Sequence, residues 1–342
     1  MPHFKRARDI TVGVIGYGGA FNMGRKHLQE MQAAGMTPVA VAEIDASRLA
    51  VAEADFPGIE TYTDVATMLK RSDVNLITII TPHNTHAPLA IKCLRAGKHV
   101  VCEKPLAITT RECDAMIAAA KKHRVVISTY HNRHWDGCIL EAVDRIKRKK
   151  QIGEIVRIEC HMGGYSQPSD WWRSSRSISG GIMYDWGVHL LEYALQLLPG
   201  KVTEVAGFAH SGFWKTTWGA DSNEDEGHAV VRFNDGRWLE LTITQLDSNP
   251  KRGMLEITGT RGSYILNGRD WEIIRHADGE RIVTSGKNRD GQQHLYYRNL
   301  RDHLVKGKKL IIDGPWSRRP IHILDLARTS ARQGKTLRAT YG

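Results

Sequence analysis

The first 130 residues alternate short apolar segments with amphipathic stretches, and this alternation restricts the fold more than any other feature. The apolar segments are "ITVGVIG", "PVAVAEID", "NLITIIT", "HVVCE" and "VVISTYH", and helical patterns occupy residues 23–34, 47–54, 63–71, 86–97 and 109–123. Nearly continuous apolar strands joined by helices are typical of a parallel sheet that is covered on both faces. We therefore predict a doubly wound α/β domain over residues 1–129.

The pattern changes after residue 130. Helical periodicity over residues 135–149 and 181–198 flanks a strand, and seven further segments with period-two alternation follow before helices at 295–306 and 320–334. Such alternation predicts a largely antiparallel sheet with one buried face. We assign residues 130–342 to an α+β domain for substrate binding and oligomerisation. We expect the uncovered sheet face to form a homodimer or homotetramer.

Composition excludes several classes of function. The formal net charge is +11, but the one dense basic run, "RIKRKK", ends a helical pattern, where cations suit the helix dipole. No apolar run reaches the ~18 residues that span a bilayer. The five cysteines are odd in number and form no CxxC motif, which indicates free thiols in a reducing cytoplasm. We expect no nucleic-acid partner, no membrane and, despite the spacing of His131, His134 and Cys138, no metal.

A glycine-rich turn joins the first strand to the first helix. The turn contains Gly16, Gly18 and Gly19, and Ala20 completes it. Glycines in this position let the backbone approach a pyrophosphate at the helix N-terminus. Phe21 stands where a third glycine is usual. We expect these five residues to bind a dinucleotide.

The second strand ends in Glu43, which can accept hydrogen bonds from the adenine-ribose hydroxyls and would repel a 2′-phosphate. This favours NAD over NADP as the cofactor. Arg48, five residues further on, leaves NADP open as a less favoured alternative.

Two other strand ends carry polar residues. Ligands of open parallel sheets bind beyond the carboxyl ends of the strands, where "TPHNTH" and the "EKP" run containing Lys104 are expected to lie. Farther along, Asp185 and His189 are four residues apart, hence on one helix face, and histidine suits proton transfer near neutrality. From chemistry alone, Lys104 is either a solvated lysine or a catalytic group, and the Asp185–His189 pair is either a surface pair or a catalytic one.

The run "TPHNTHAPLAIKCLRAGKHVVCEKPLA", followed by "GGIMYDWGVHLLEY", resembles the glucose-fructose oxidoreductase / inositol 2-dehydrogenase (Gfo/Idh/MocA) family over essentially the whole chain. The resemblance implies a Rossmann domain, a second domain built on a large open sheet, and hydride transfer between a ring hydroxyl and NAD(P). It implies that Lys104, Asp185 and His189 are catalytic. The cofactor is further expected to be lined by Thr81, Pro82, Asn84, His86, Glu103, Lys104, Trp172 and Arg173. The substrate is expected to be bound by Lys104, Arg133, Trp172, Asp185 and His189.

Three functions fit this resemblance. The first is an NAD-dependent dehydrogenase of a sugar, glycoside or cyclic polyol, in which Lys104 and His189 take part in proton transfer. The second is a glycosidase of the same family that retains NAD and releases a sugar without net oxidation. The third is a non-catalytic NAD-binding sensor. The sequence leaves open the ring, the carbon, the direction of the reaction and the charge of the substrate.

Overall fold

Six parallel strands form the first sheet of the computed structural model, which describes residues 3–340. The strands are β1 (Thr11–Ile15), β2 (Thr37–Ala42), β3 (Glu60–Tyr62), β4 (Leu76–Ile79), β5 (His99–Cys102) and β6 (Ile127–Thr129). Their order is β3-β2-β1-β4-β5-β6, the arrangement of a doubly wound sheet. The connecting helices are α1 (Met23–Ala33), α2 (Ala46–Asp55), α3 (Val65–Arg71), α4 (His86–Arg95) and α5 (Thr110–His123). The predicted doubly wound fold is confirmed.

The register of this sheet aligns the ends of its central strands. Ile15 lies opposite Ile79, Ile79 opposite Cys102, and Cys102 opposite Thr129. The side chains of β4 and β5 are fully or almost fully buried, as expected for strands covered on both faces. Residues that directly follow these strands are therefore delivered to a single edge of the sheet.

Two helices follow the second sheet in the chain. Helix α9 (Leu295–Lys306) packs in the first unit, where the Tyr296 hydroxyl lies 2.7 Å from Ser128 Oγ. Helix α10 (Gly314–Gln333) begins six residues before the predicted start at residue 320. Asp313 explains the earlier start, because its side chain accepts a hydrogen bond from the Trp316 N–H at 2.8 Å and so caps the first turn.

The chain divides into two compact units. The first contains the residues up to His131 together with His294–Arg318, and the second contains Asn132–Gln293 and the residues from Arg319 onwards. The structure thus groups His294–Arg318 with the first unit, whereas our division placed everything after residue 129 in the second domain. The long return explains the difference, since α9 supplies buried tyrosines to the first sheet.

The second unit is built on a nine-stranded sheet. Its strands are β7 (Ile155–Gly163), β8 (Val202–His210), β9 (Glu226–Phe233), β10 (Trp238–Thr244), β11 (Leu255–Gly259), β12 (Gly262–Leu266), β13 (Asp270–Ala277), β14 (Glu280–Lys287) and β15 (Leu337–Arg338), in the order β14-β13-β12-β11-β7-β10-β9-β8-β15. Strands β7 and β10 are parallel neighbours and the other named pairs are antiparallel. The predicted, mostly antiparallel sheet is confirmed.

One face of this second sheet is covered by helices. The helices of this part of the chain are α6 (Gly137–Val143), which a π turn (Asp144–Arg148) continues, α7 (Arg176–Ser179) and α8 (Met183–Leu197). Gly187 of α8 lies against Leu241, which is fully buried, whereas Glu240 and Thr242 on the opposite face of β10 are only half-buried. The alternation along β10 therefore separates a helix-covered face from an open one.

Gly207 tests the contact between β8 and α10. A Cβ atom at this position would lie 2.0 Å from the carbonyl oxygen of Ala327 in α10. Because this oxygen belongs to the helix backbone, it cannot move aside by a change of rotamer. We expect Gly207→Ala to lower the free energy of unfolding by ~1–3 kcal/mol or more, as for an overpacked core. Gly164→Ala is the matched control, since no atom lies within 4 Å of its added methyl group. Thermal unfolding of the two variants checks the prediction, and equal midpoints would contradict it.

Candidate active site and cofactor-binding residues

The glycine turn after β1 is shaped by the neighbouring strand. Gly16 has a φ of 102°, and a Cβ there would lie 2.4 Å from the carbonyl oxygen of Ile80. Only glycine fits this position, because both the backbone conformation and the space exclude a side chain. Gly18, Gly19 and Ala20 are exposed, and no atom lies within 4 Å of a Cβ added to Gly18. The turn thus presents open backbone toward a ligand.

Gly24 allows the close packing of helix and strand that the third glycine of the motif usually allows. A Cβ on Gly24 would lie 2.6 Å from Tyr17 Cδ2 and 2.8 Å from the carbonyl oxygen of Gly16. The third glycine of a dinucleotide-binding turn allows close packing of helix and strand, and Gly24 does so here. Phe21, which occupies the usual third position in the sequence, is 57% exposed.

Glu43 lies beside the glycine turn at the end of β2. Its carboxylate accepts hydrogen bonds from the Tyr17 N–H at 2.6 Å and from the Asp45 N–H at 3.1 Å. Asp45 itself caps α2, because its side chain accepts a hydrogen bond from the Ser47 N–H at 2.9 Å. Glu43 therefore stands beside the glycine turn at the end of the second strand, where a carboxylate can accept hydrogen bonds from a ribose in this fold.

Arg48 of α2 reaches back to the same turn. Its Nε donates to the carbonyl oxygen of Tyr17 at 3.0 Å, and its Nη1 lies 3.3 Å from a Cβ added to Gly19. The guanidinium places positive charge next to the exposed glycines. Open space at Gly18, the carboxylate of Glu43 and this cation together fit the diphosphate and ribose of a dinucleotide.

The loop after β4 holds a second group of predicted cofactor residues. Pro82 and Asn84 are exposed, while the hydroxyl of Thr81 accepts a hydrogen bond from Thr85 Oγ1 at 2.6 Å. His86 is fully buried, and its ring nitrogens lie 2.8 Å from the carbonyl oxygens of Pro105 and Thr81. Burial lowers the pKa of His86 against the opposing effect of the two carbonyl groups. The ring of His86 therefore joins the ends of β4 and β5.

The "EKP" run directly follows β5. The Glu103 side chain is 13% exposed and accepts hydrogen bonds from His27 Nε2 at 3.0 Å and from the Lys104 N–H at 2.9 Å. Burial opposes ionisation, yet the hydrogen bond from His27 and the charge of Lys104 keep the pKa of Glu103 below its ordinary value. Lys104 is half-buried, and its peptide bond to Pro105 is cis. The Glu103 carboxylate therefore holds the Lys104 amide.

The other two predicted catalytic residues lie in the second unit, on α8. Asp185 is in the first turn, and His189 follows one turn later on the same face. The Asp185 carboxylate accepts hydrogen bonds from Arg173 Nη1 at 3.1 and 3.2 Å, and His189 is 6% exposed. The His189 ring packs edge-on against Trp186, with 5.6 Å between the ring centroids. The predicted Asp185–His189 pair thus lies in a setting of aromatic and cationic side chains.

Trp172 and Arg173 approach Asp185 from a short 3₁₀ turn (Trp172–Ser174). The guanidinium of Arg173 lies 4.9 Å from the Trp171 ring centroid and 5.2 Å from that of Trp172. The Arg173 carbonyl oxygen accepts a hydrogen bond from Asn223 Nδ2 at 2.6 Å. The second unit therefore brings together Trp172, Arg173 and Asp185, which are expected to bind substrate or cofactor.

Arg133 contacts the same indole ring, that of Trp186. Its guanidinium is 5.1 Å from the Trp186 ring centroid, and its Nη1 donates to Asp136 Oδ2 at 3.0 Å. Asp136 is buried and also accepts a hydrogen bond from the hydroxyl of Tyr193. Arg133 and His189 thus both contact the indole ring of Trp186.

Sequence reasoning missed three residues that support these groups: His27, Asn223 and Tyr297. His27 lies on the buried face of α1 with Leu28 and Met31, and a histidine in that apolar pattern was the available signal. Asn223 and Tyr297 gave no comparable signal, because their partners lie far away in the chain. Within residues 3–340, no group of three or more His, Cys, Asp and Glu side chains is placed to hold a metal ion. No helix in this range is long and apolar enough to cross a membrane.

Gly18 tests the glycine turn as a dinucleotide site. Because an added methyl group meets nothing within 4 Å, Gly18→Ala should leave the thermal midpoint unchanged. We expect it to weaken NADH binding by about tenfold, or ~1.4 kcal/mol, because the backbone loses its close approach to the diphosphate. Quenching of protein fluorescence by NADH measures the affinity. Gly268→Ala, whose methyl group meets only Met254 Cε at 4.0 Å, is the control. An unchanged affinity in Gly18→Ala would contradict the prediction.

Comparison with known proteins identifies two adjoining family domains. Residues 10–131 match an oxidoreductase family with an NAD-binding Rossmann fold, and residues 140–265 match the GFO/IDH/MocA C-terminal domain. The chain is 32% identical over 307 residues to the uncharacterized oxidoreductase YdgJ of Escherichia coli (strain K12), which covers 90% of this chain and 85% of that protein.

Two proteins that are named for a dehydrogenase activity are also similar. The myo-inositol 2-dehydrogenase of Thermotoga maritima is 26% identical over 91% of this chain and 90% of its own. The structure of levoglucosan dehydrogenase in complex with NADH and levoglucosan shares the fold, with a TM-score of 0.83 at 21% identity over 97% of this chain and 100% of that one. The two matched domains and the identity to YdgJ show that the chain belongs to the Gfo/Idh/MocA family of NAD-binding oxidoreductases.

Proposed function

We propose that this protein is an NAD-dependent dehydrogenase that oxidises a ring hydroxyl of an uncharged sugar, glycoside or cyclic polyol, or reduces the corresponding ketone. The observation that carries the proposal is the polar face of α8, where Asp185 and His189 stand one turn apart and Arg173 is bonded to Asp185. At this spacing the carboxylate can hold one hydroxyl of a ring by a hydrogen bond, while the imidazole accepts the proton of a neighbouring hydroxyl. Relatives named for myo-inositol and levoglucosan support a hydroxylated ring as the substrate.

The proposed roles follow from the chemistry of each group. Gly16, Gly18, Gly19 and Glu43 would hold the cofactor, with Ala20 and Phe21 completing the turn, and bound NAD would supply the hydride acceptor. His189 accepts the proton of the reacting hydroxyl. The Lys104 ammonium stabilises the negative charge that develops on that oxygen and helps to relay the proton. Asp185 holds a neighbouring hydroxyl.

Charge balance favours an uncharged ring over a sugar acid or sugar phosphate. Arg133, which is expected to bind the substrate, is paired with Asp136, and Arg173, which is expected to line the cofactor, is paired with Asp185. An anionic substrate group would compete with these carboxylates for the guanidinium groups. The net charge of +11 over the whole chain therefore does not imply an anionic substrate.

Glu43 favours NAD over NADP in this proposal. Its carboxylate lies against the glycine turn, where a 2′-phosphate would meet negative charge. The neighbouring Arg48 donates to Tyr17 and lies over Gly19, so it is engaged with the turn itself. Titrations with NADH and NADPH should accordingly show the tighter binding for NADH.

A panel of inositols, sugars, anhydrosugars, aryl glycosides and sugar acids tests the reaction. We expect NADH formation, seen as near-ultraviolet absorbance, with an uncharged ring. Lys104→Ala and His189→Ala should each lower kcat by about 10²–10⁴-fold, the usual contribution of a general acid or base. Both variants should keep the NADH affinity of the wild type. Turnover equal to wild type in both variants would disprove the assigned roles.

The same panel separates the alternative functions. Release of a sugar from an aryl glycoside without net NADH formation would identify the NAD-retaining glycosidase. NADH binding with neither product across the panel would favour the sensor. Neither alternative has a specific observation in its favour, and both therefore rank below the dehydrogenase.

We also propose that the open face of the second sheet joins copies of this chain as a homodimer or homotetramer. Ala206 lies opposite Val230 and Phe208 opposite His228 on this face, and Phe208 is 60% exposed. Val230→Lys places a charge in the middle of the patch and should shift sedimentation velocity toward the monomer, while circular dichroism stays unchanged. A wild-type protein that sediments as a monomer would contradict this proposal.

We propose the cytoplasm as the location of the enzyme. All five cysteines are free thiols and are buried in the structure. This arrangement suits a reducing compartment.

A further inference from the structure

Three side chains from distant parts of the sequence meet near the end of β5. They are His27 of α1, Tyr297 of α9, and Glu103, which directly follows β5. The His27 ring is completely buried, with Nδ1 2.7 Å from the Tyr297 hydroxyl and Nε2 3.0 Å from Glu103 Oε1. The Tyr297 hydroxyl also lies 3.2 Å from Thr78 Oγ1. Both nitrogens of a buried ring are therefore engaged by groups of fixed position.

The chemistry of the partners sets the direction of these hydrogen bonds. The Glu103 carboxylate can only accept, so His27 Nε2 carries the proton that faces it. In the neutral ring Nδ1 then accepts a hydrogen bond from the Tyr297 hydroxyl. Burial raises the pKa of Tyr297 well above its ordinary value, so the hydroxyl keeps its proton. The chain of donors runs from Tyr297 through His27 to Glu103.

The second oxygen of Glu103 connects this chain to Lys104. Oε2 accepts the Lys104 N–H at 2.9 Å, and within residues 3–340 the only other side chain that hydrogen-bonds Glu103 is His27. The Glu103 carboxylate thus links the His27 imidazole to the Lys104 amide. On the far side of Lys104, the carbonyl oxygen of Pro105 lies 2.8 Å from His86 Nδ1.

We propose that His27 is a positioning residue that fixes the direction of the Lys104 side chain through Glu103, with Tyr297 as its anchor. The inference rests on the proposed function only in that Lys104 is the group being positioned for the reaction. Packing alone is a competing explanation, because the His27 ring also lies edge-on against Tyr130, with 4.2 Å between ring centroids. A test must therefore separate hydrogen bonding from volume.

The matched variants are His27→Gln and His27→Leu. The two new side chains have similar volumes, but only glutamine can donate to Glu103 and accept from Tyr297 at the same time. The readout is trace acetylation of Lys104 by acetic anhydride, measured by mass spectrometry in the full-length protein. The exposed Lys122 and Lys201 serve as internal references. This readout requires no substrate, and thermal midpoints and NADH affinities accompany it.

We expect Lys104 to be acetylated about threefold to tenfold faster in His27→Leu, the scale of one lost net hydrogen bond, because the released lysine extends more often toward the reagent. In His27→Gln the rate should stay within about twofold of wild type, since the link is kept. Rates equal to wild type in both variants, or an equal rise in both, would overturn the proposal, the second outcome by showing that only volume matters.

His27→Asn keeps the test decisive where His27→Leu does not fold. Its shorter amide cannot span from α1 to both partners, so a Lys104 rate equal to wild type in this folded variant also overturns the proposal. Failure of the proposed function is a separate outcome. It appears as full activity of Lys104→Ala, whereas the acetylation rates report the position of Lys104 whether or not it is catalytic.

Discussion

The contact between Gly16 and the carbonyl oxygen of Ile80 is the constraint on which the ligand-binding edge of the first sheet depends. Strands β1 and β4 lie side by side where the strand order reverses, and beyond this point their connections leave on opposite faces. A side chain at Gly16 would force the two strand ends apart, because its Cβ would lie 2.4 Å from that oxygen. Since β4 also fixes the register of β5, the position of Lys104 depends indirectly on the same contact.

Most of the polar side chains described at this edge lie within hydrogen-bonding distance of backbone groups. Glu43 accepts a hydrogen bond from the glycine turn, the His86 ring lies between two carbonyl oxygens, and Glu103 accepts a hydrogen bond from the Lys104 amide. Buried polar groups are costly unless they are hydrogen-bonded, and here those bonds also fix the loops on which a ligand would rest. The backbone at Gly18 and the side chains of Pro82 and Asn84 stay open to solvent.

In the second unit, an ion pair fixes the polar side chains in place. Arg173 is held by its own backbone contact to Asn223 and by two tryptophan rings while it bonds to Asp185. Ion pairs of this kind gain little in stability, but they fix geometry when the partners are also packed. The result is a polar surface on α8 with defined directions and nearly balanced charge, which suits recognition of hydroxyl groups.

The sequence by itself determined the alternation of elements, the doubly wound and antiparallel sheets, and the glycine turn, because these follow from local periodicity and from residues with special backbone freedom. It also placed Asp185 and His189 on one helix face, since their spacing is local. Only the tertiary structure decided that Gly24 fills the role of the third glycine. Likewise, it alone joined His27 to Tyr297 across the chain and returned α9 to the first unit. Those contacts join residues far apart in sequence, and no local pattern encodes which buried donor will meet which buried acceptor.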